Sequence, residues 1–343
     1  MAATMRAARW LGPESVAMEV LPRPEPGPGE ALLQVAYGGI CGTDLMIYLG
    51  KHPRAKAPLT MCHEFAGTLV DPGDSNLPAG TPVAINPLLS CGRCYPCTHG
   101  TPHICERLGL VGIDRDGGFA EYAVVPSHTL CPLPADLELC QAALIEPLAV
   151  AVHAVRASRL RVGDTTAVLG AGPVGVLTAQ VARHAGAAHV LVSEVSPRRL
   201  EIARTLGFEV IDAREDSIAD AVADATDGIG APVVFETAGV QATVASAANC
   251  VRAGGQILQV GMPKTPPIVD ITRLLFGEIT LTPIRVYRED DVAAAIAIAA
   301  SGALDLVTPV THVLPLQKLA EGLELAHQAT DACKILIEPN AQV

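Results

Sequence analysis

Between residue 153 and about residue 283, the sequence alternates short apolar segments with helical patterns, and this alternation restricts the fold more than any other feature. The apolar segments read TTAVLG, HVLVSE, PVVFET and GQILQVG, and the helical pattern PVGVLTAQVARHAG separates the first two. Strands that are apolar throughout are typical of parallel sheets, because helices cover both faces of such sheets. We therefore expect an α/β domain built on a doubly wound parallel sheet.

The chain on either side of this region has a different pattern. Before it, strand-like runs such as ALLQVAYGGI, FAGTLV, TPVAINP and FAEYAVVP alternate with turn-rich segments such as RPEPGPGE and DPGDSNLPAG. After it, an alanine-rich helical pattern is followed by a mixture of strand and helix. A chain of 343 residues, half of them hydrophobic, is also too long for one ordinary core. The sequence predicts a strand-rich domain over 1–152, an α/β domain over 153–283 and a C-terminal segment over 284–343.

The charge of the chain argues against two classes of partner. The formal net charge is -12, with 24 Lys and Arg against 36 Asp and Glu. Nucleic-acid binding needs clustered cations that release counterions, and an acidic membrane surface would repel this chain. The N-terminal segment MAATMRAARWLGPESV has no apolar run long enough for a signal peptide. We therefore expect a cytoplasmic protein that binds neither nucleic acid nor membranes and whose ten cysteines are reduced.

Four cysteines lie in one short segment, CGRCYPCTHGTPHIC, over residues 91–105. A redox C-x-x-C motif needs only two sulfurs and opens a helix, whereas here a third cysteine follows at the same spacing and Gly and Pro residues favour a loop. Four thiolates complete the tetrahedron of a structural zinc ion and leave no position for a substrate. A redox or incidental role is the alternative. The predicted zinc ligands are Cys91, Cys94, Cys97 and Cys105.

The glycine pattern GAGPVG lies between the first strand and the first helix of the α/β region. Gly170 would form the tight turn, Gly172 would let the backbone approach a pyrophosphate, and Gly175 would let the helix pack closely on the strand. The N-terminus of the helix offers free N–H groups to the anion. A tight turn without a ligand is the alternative. The sequence therefore predicts a dinucleotide site that also includes Pro173 and Val174.

The second strand of this region ends at Glu194, and its carboxylate bears on the choice of cofactor. A carboxylate at this place can accept hydrogen bonds from the adenosine ribose, and it would repel a 2′-phosphate. Arg199 could instead accommodate that phosphate, or it could be a solvated charge on the following helix. We expect NAD rather than NADP.

Another set of metal-binding residue types is spread over the first domain. Cys41 and His63 stand in turn-rich segments, and Glu146 interrupts the apolar run AALIEPLAVAVHAV. A carboxylate in such a run is costly to bury unless it is paired or bound to a metal. Three ligands of these types would leave the fourth position of a zinc ion open. Each residue could equally be a core side chain, because sequence separation hides the geometry.

A series of motifs resembles those of the zinc-dependent medium-chain alcohol dehydrogenases. The motifs are GICGTD, HEFAG, SCGRCYPCTHGTPHIC, GGFAEY, EPLAVAVHA and LGAGPVG, and the resemblance covers essentially the whole chain. The glutamate in EPLAV makes the chain resemble the branch of polyol (sorbitol), butanediol and threonine dehydrogenases, because classical alcohol dehydrogenases typically have cysteine at this position. The resemblance implies a GroES-like, partly open β-barrel completed by the C-terminal segment, and a Rossmann domain. The active site would lie in the cleft between them.

The same resemblance implies roles for individual residues. The ligands of a catalytic zinc ion would be Cys41, His63 and Glu146. Glu64 would be able to approach or replace a ligand, and Asp44 would orient the histidine. Contacts with the nicotinamide or the substrate would come from Val260, Gly261, Met262, Ile284 and Arg285.

The implied reaction is the NAD-dependent oxidation of a secondary alcohol, such as a polyol, a sugar derivative or a vicinal diol, to a ketone. Zinc would lower the pKa of the hydroxyl, the alkoxide would give hydride to the nicotinamide, and Thr43 would pass the proton outward. The alternatives are a threonine-type amino-alcohol dehydrogenase and a zinc-stabilised NAD-binding protein without catalysis. Because sheets in this family commonly pair between subunits, we expect a homo-oligomer, a tetramer rather than a dimer.

Two positions depart from the family pattern. Met46 stands where members often have a histidine of the proton relay, so the relay would end at His52 or directly in water. Cys62 stands where the family usually has glycine, immediately before the ligand histidine. A Cβ there could perturb the turn, but we expect a small side chain that the pocket tolerates.

Overall fold

The computed structural model describes residues 3–328 and 331–341. The chain divides into two compact units. The first unit comprises Met1–Glu146, Arg288–Ser301 and Val310–Val343, and the second comprises Pro147–Tyr287 and Gly302–Pro309. The C-terminal part of the chain therefore belongs mainly to the same unit as the N-terminal part.

Strands dominate the first 146 residues. In chain order they are β1 (Thr4–Gly12), β2 (Ser15–Pro22), β3 (Glu30–Gly39), β4 (Leu59–Thr60), β5 (Glu64–Asp71), β6 (Pro82–Ile85), β7 (Leu88–Leu89), β8 (Gly109–Leu110), β9 (Tyr122–Pro126) and β10 (Leu130–Pro132). Short helices interrupt them: α1 (Gly42–Tyr48), α2 (Tyr95–Thr98), α3 (Leu139–Ala142) and the beginning of α4 (Ile145–Ala157). Strand β9 alternates buried with half-buried residues, as expected where one face of a sheet is in the core.

The second unit alternates strands and helices. Its strands are β11 (Thr165–Leu169), β12 (His189–Glu194), β13 (Glu209–Asp212), β14 (Ala231–Glu236), β15 (Val251–Gln259) and β16 (Thr280–Pro283). Its helices after α4 are α5 (Pro173–His184), α6 (Pro197–Thr205), α7 (Ile218–Asp224), α8 (Gln241–Cys250) and α9 (Ile271–Gly277). The remaining elements are α10 (Glu289–Ala300), β17 (Val310–Pro315), α11 (Leu319–Gln328) and β18 (Lys334–Glu338).

Strand β3 lies inside the larger sheet of the first unit. The order is β10-β6-β5-β3-β18-β17, and β9 also pairs with β3. Strand β18 runs antiparallel to β3, with Leu336 opposite Gly39 and Ile337 opposite Gly38. Three residues of β18, Ile335, Leu336 and Ile337, are almost fully buried. The chain therefore returns after the second unit to complete the core of the first.

The six strands of the second unit form one parallel sheet in the order β13-β12-β11-β14-β15-β16. The order reverses between β11 and β14, which is the place where doubly wound sheets bind ligands at the carboxyl ends of their strands. The apolar segments that predicted parallel strands correspond to β11, β12, β14 and β15. The doubly wound parallel sheet expected from the alternation is confirmed. None of the helices formed by residues 3–328 and 331–341 is long and apolar enough to span a membrane.

Candidate metal centres and dinucleotide site

The four cysteines of residues 91–105 converge around α2. Their sulfur atoms all lie within 4.8 Å of one another, with 3.4 Å between Cys94 and Cys97 and 3.7 Å between Cys94 and Cys105. Sulfurs of a disulfide are about 2.05 Å apart, whereas sulfurs around a tetrahedral zinc ion with bonds of about 2.3 Å are separated by about 3.8 Å. All four are free thiols. The donor set and its spacing therefore fit a zinc ion.

The backbone of this loop is arranged to stabilise thiolates. Gly92 and Gly100 have φ angles of 70° and 78°, which only glycine adopts readily, and they let the chain wrap around the sulfurs. Hydrogen bonds from the amides of Arg93 and Cys94 lower the pKa of the Cys91 thiol to about 6. The Cys105 sulfur accepts hydrogen bonds from the amides of Cys91 at 3.4 Å and Arg107 at 3.3 Å. The thiolate form of Cys91 is thus favoured before any metal binds, whereas burial raises the pKa of the Cys97 thiol to about 12.

A second cluster forms around His63. Ligand atoms of Cys41, His63 and Glu64 all lie within 4.8 Å of one another. Burial lowers the pKa of the His63 imidazole, but the negative charges around it outweigh that effect and leave the pKa well above its usual value. Glu146, in the first turn of α4, is one of those charges, although it lies outside the group of three. The structure thus brings Cys41 and His63 together, with Glu64 closer to them than Glu146.

The His63 imidazole has a ring nitrogen whose hydrogen-bonding capacity is unused within the described part of the chain. Its Nδ1 atom is buried and makes no hydrogen bond to any residue that the structure describes. A buried polar atom without a partner destabilises a fold by about 1–3 kcal/mol. Thiolate, imidazole and carboxylate are the ligands that zinc prefers. A zinc ion would fit this donor set.

Asp44 connects the two segments that carry these ligands. It is fully buried, and its carboxylate accepts hydrogen bonds from the amides of Cys41 at 2.9 Å and Cys62 at 3.2 Å. The resemblance implied that Asp44 would orient the histidine. In the structure it accepts hydrogen bonds from the backbone of Cys41 and of Cys62, the residue before His63, and so holds the two ligand-bearing segments together.

Lys334, the first residue of β18, belongs to this cluster as well, and none of the family motifs points to it. Its ammonium group is buried and donates to the carboxylate of Glu64 and, at 3.0 Å, to the carbonyl oxygen of Ile40. The signal in the sequence is a lysine at the start of the apolar run KILI, because a lysine is almost never buried without a partner. Its charge offsets that of Glu64.

The residues proposed for the proton relay and the altered turn lie near this cluster. The Thr43 hydroxyl oxygen is 3.9 Å from the Cys41 sulfur. His52 accepts hydrogen bonds at Nδ1 from the amides of Arg54 and Ala55, at 3.4 and 3.2 Å. These local bonds stabilise the loop that contains His52. Cys62 is buried with φ of 86°, and its thiol points at the carbonyl oxygens of Gly39 and Glu64 rather than joining the three ligand atoms.

The glycine turn after β11 has two distinct kinds of glycine. A Cβ at Gly175 would lie 1.9 Å from the carbonyl oxygen of Gly170, so this glycine is required by packing between turn and helix. A Cβ at Gly172 would meet no protein atom closer than Nη1 of Arg199 at 3.9 Å. Pro173 is the first residue of α5, and the first turn of a helix leaves backbone N–H groups without a partner inside the helix. The turn therefore leaves room for a ligand where the pyrophosphate is expected, and Val174 continues the first turn of the helix.

Glu194 lies directly beside the glycine turn. Its carboxylate accepts hydrogen bonds from the amides of Ala171 at 2.8 Å, Val195 at 2.7 Å and Ser196 at 3.1 Å. These hydrogen bonds fix the carboxylate beside the turn, where the adenosine ribose of a dinucleotide is expected. Arg199 is half-buried near Gly172. The structure thus brings both residues predicted for the adenosine side to one edge of the turn.

The residues predicted for the nicotinamide side follow β15 and β16. The amides of Val260 and Gly261 donate to the carbonyl oxygen of Glu236, at 2.8 and 2.9 Å. Met262 is 64% exposed, and the Ile284 amide donates to the carbonyl oxygen of Gln259 at 2.8 Å. Arg285 is exposed. All five lie at the carboxyl edge of the parallel sheet, the edge that also carries the glycine turn.

Comparison with known proteins places this architecture in a family. The family model described as alcohol dehydrogenase GroES-like domain matches residues 27–135, and the one described as zinc-binding dehydrogenase matches residues 173–301. A 2-dehydro-3-deoxy-L-galactonate 5-dehydrogenase of Pseudoalteromonas atlantica is 37% identical over 98% of this chain and 100% of its own. An (R,R)-butanediol dehydrogenase of Bacillus subtilis is 33% identical over 98% of this chain and 100% of its own.

A solved structure agrees with these sequence relatives. A Sinorhizobium meliloti protein bound to NADP has a TM-score of 0.93 and 31% identity, over 98% of this chain and 100% of its own. The chain belongs to the zinc-dependent medium-chain alcohol dehydrogenases. The expected fold class, a GroES-like domain combined with a Rossmann domain, is confirmed, as is the expectation of a dehydrogenase.

Proposed function

We propose that this protein is an NAD-dependent, zinc-dependent dehydrogenase that oxidises the secondary alcohol of a polyol, a sugar derivative or a vicinal diol to a ketone. The observation that carries the proposal is the cluster of Cys41, His63 and Glu64, whose ligand atoms all lie within 4.8 Å of one another. Two relatives named for a sugar-acid dehydrogenase and a butanediol dehydrogenase support the substrate class.

We further propose that Cys41, His63 and Glu146 would hold the catalytic zinc ion, and that Glu64 could approach or replace one of them. When bound, zinc supplies a Lewis acid that lowers the pKa of an alcohol hydroxyl. Asp44 holds the ligand-bearing segments together, and Thr43 would accept the alcohol proton at Oγ1 while passing its own hydroxyl proton outward. The four cysteines of residues 91–105 would hold a second, structural zinc ion.

NAD is the cofactor that we propose for the glycine turn. The buried carboxylate of Glu194 adds negative charge beside the turn, and a 2′-phosphate would be repelled there. Arg199 lies close enough to Gly172 to reach a phosphate, and the Sinorhizobium meliloti structure has NADP bound. NADH and NADPH should therefore be compared side by side, and we expect NADH to bind more tightly.

We propose a cytoplasmic homo-oligomer, a tetramer rather than a dimer. The ten cysteines are free thiols, as a reducing compartment requires. Strand β16 is the edge of its sheet, and the adjacent α9 exposes Ile271, Leu275 and Phe276 by 65%, 70% and 84%. Edge strands and exposed apolar patches of this kind are typical of interfaces. Light scattering coupled to size exclusion gives the subunit number directly, and a monomer at micromolar concentration would contradict this proposal.

The experiment that tests the function compares zinc content and turnover in three proteins. Elemental analysis of the wild type should give two zinc ions per subunit, and Cys41→Ala should retain one while losing NAD⁺ reduction against a panel of polyols and diols. Cys131→Ala, which removes a cysteine outside both clusters, should keep both ions and full activity. One zinc ion in all three proteins, with NADH binding but without turnover, would favour a non-catalytic NAD-binding protein.

A further inference from the structure

A fully buried carboxylate lies at the carboxyl end of β14, outside the groups that the proposed reaction uses. Glu236 Oε1 accepts hydrogen bonds from the amides of Ala238 at 3.0 Å and Gly239 at 2.8 Å, and from the Thr243 hydroxyl at 2.6 Å. Its Oε2 accepts from the side-chain amide of Gln259. All four donors are neutral. Burying a charge among neutral donors is unfavourable unless the hydrogen bonds are well formed, so this arrangement calls for an explanation.

The carboxylate connects two loops that follow neighbouring strands. The amide groups of Ala238 and Gly239 belong to the loop after β14. Gln259, at the end of β15, donates to Glu236 and also to the carbonyl oxygen of Gly261 at 2.7 Å, in the loop after β15. One side chain therefore fixes the backbone of both loops, directly on one side and through Gln259 on the other.

The two loops also touch each other and the glycine turn. A Cβ at Gly261 would lie 2.3 Å from the amide nitrogen of Gly239, so the backbones approach as closely as glycine permits. Thr237, next to Glu236, places its hydroxyl 2.9 Å from the carbonyl oxygens of both Leu169 and Gly170. The Glu236 carboxylate thus organises one continuous surface at the carboxyl edge of the sheet.

The order of the strands says which part of a dinucleotide would lie on this surface. Glu194 follows β12 and the glycine turn follows β11, on one side of the reversal. With its adenosine at Glu194 and its pyrophosphate at the turn, a dinucleotide must extend its second nucleotide across the reversal, over β14 and β15. The loops held by Glu236 are the backbone that this second nucleotide meets.

We propose that Glu236 is a positioning residue for the nicotinamide half of the cofactor. Its carboxylate holds the loops after β14 and β15 in one arrangement before the cofactor binds, so that their backbone groups already face the nicotinamide nucleotide. The inference rests on the proposed NAD-dependent function and adds to it the residue that prepares one half of the site.

The test compares two ligands that differ only in the nicotinamide ring. NADH reaches both halves of the site, whereas ADP-ribose has the adenosine, the pyrophosphate and a ribose but no nicotinamide. In Glu236→Gln the new NH₂ group faces the NH₂ group of Gln259, two donors in contact, and turning Gln259 over removes its bond to Gly261. By calorimetric titration we expect the Kd of NADH to rise about 10- to 100-fold, and that of ADP-ribose to change less than about 3-fold.

Three further variants separate this role from a general loss of structure. Glu194→Gln, on the adenosine side, should weaken both ligands by a similar factor. Thr243→Val removes one hydrogen-bond donor from Glu236, and it tests the same role if Glu236→Gln does not fold. Its loss of affinity should be smaller than that of Glu236→Gln, and again larger for NADH than for ADP-ribose. The exchange Glu236→Gln with Gln259→Glu restores a donor facing an acceptor but not the bond to Gly261, so NADH affinity should recover in part.

The outcomes distinguish the inference from the function on which it rests. A wild type that binds both ligands, combined with equal losses of NADH and ADP-ribose in Glu236→Gln or Thr243→Val, would overturn the positioning role alone. A wild type that binds neither ligand would overturn the proposed cofactor function and the inference with it.

Discussion

Individual side chains set the charge of the cluster around His63. The Glu64 carboxylate and the Lys334 ammonium are both buried, with 4% and 1% of their side chains exposed, and each is the other's ionic partner. A zinc ion at the cluster would offset the charges of Cys41 and Glu146, which leaves Glu64 for Lys334 to balance. Removing one member of such a pair leaves a buried charge uncompensated.

We therefore expect Lys334→Met to lower the free energy of unfolding by about 3–5 kcal/mol, as measured by urea denaturation in the presence of zinc. Lys318→Met is the matched control. Lys318 pairs with Glu321 at 3.1 Å, but both side chains are about half exposed, and the loss there should stay below about 1 kcal/mol. Equal losses in the two variants would show that the buried pair has no special role.

Cys62 has a backbone conformation that residues with a Cβ atom rarely adopt. Its φ of 86° lies in the left-handed region, and its thiol is buried against carbonyl oxygens. A β-branched residue is strongly disfavoured at such an angle, and the side chain has no room to move because Gly38 lies behind it. The small cysteine is accommodated at this position, and its thiol lies outside the ligand set.

Replacement of Cys62 by valine should destabilise the protein by about 2–4 kcal/mol, through backbone strain and overpacking together. Cys250→Val provides the comparison, since Cys250 is also fully buried but ends a regular helix. There the loss should be under about 1.5 kcal/mol in the same chemical denaturation experiment. A larger loss at Cys250 than at Cys62 would argue against strain as the cause.

Candidate ligands of this cluster could be predicted from the sequence, but the residues that pair with them could not. Cys41 and His63 could be proposed from their turn-rich motifs, and the structure brings their ligand atoms together. The pairing of Lys334 with Glu64 spans 270 residues and exists only because β18 lies beside β3. The same holds for the bond between Glu236 and Gln259, which joins the ends of the neighbouring strands β14 and β15. Long-range partners of this kind depend on sheet order, which local patterns do not encode.

At the scale of elements, the turn between β11 and α5 has one glycine that packing requires and another that we expect to matter only for cofactor binding. Gly175→Ala should destabilise the protein strongly, because its Cβ would overlap the Gly170 carbonyl oxygen. Gly172→Ala should leave the melting temperature within about 2 °C of wild type, because its Cβ meets no close protein atom. It should nevertheless raise the Kd of NADH at least about 10-fold, because the Cβ projects into the space where we expect the pyrophosphate. Thermal melts and NADH titrations of both variants check this. Unchanged NADH affinity in Gly172→Ala would mean that the cofactor approaches the turn differently.

The cysteines of the four-cysteine loop should differ in reactivity in the metal-free protein. After chelation at pH 7, Cys91, with a pKa of about 6, is mostly thiolate and should be the first loop cysteine alkylated by iodoacetamide. Cys97, whose pKa burial raises to about 12, should react much later. Mass spectrometry at early times gives the order, and zinc should protect all four. Alkylation of Cys97 before Cys91 would contradict the assigned amide hydrogen bonds.

Elements of the second unit could be predicted because each is specified locally. A continuous apolar run predicts a buried parallel strand, and the glycine pattern fixes where the following helix begins. The sheet of the first unit could not be predicted in the same way. Strand β9 pairs with β3 across about 90 residues of chain, and β18 pairs with β3 across about 300. The residue pattern within β9 or β18 does not indicate that β3 is its partner.

For the whole molecule, the division of the chain predicts what a truncation would spare. A chain that stops after Pro309 contains the complete second unit but lacks β17, α11 and β18. We expect amide protons of β11, β12 and β14 to stay protected from exchange, while those of β3 and β5 lose protection and the zinc ion that we propose at Cys41 no longer binds. Protection of β3 equal to that of the full chain would show that the first unit folds without its C-terminal strands.

The position of β18 also has a consequence for the order in which this protein matures during synthesis. Gly38 leaves the ribosome about 300 residues before Ile337, its partner across the sheet, which at about 5–20 residues per second is a delay of about 15–60 s. During that interval one edge of β3 is open and Glu64 has no ammonium group beside it. The second unit is complete when residue 309 has emerged, so the unit that begins the chain is the last to finish folding.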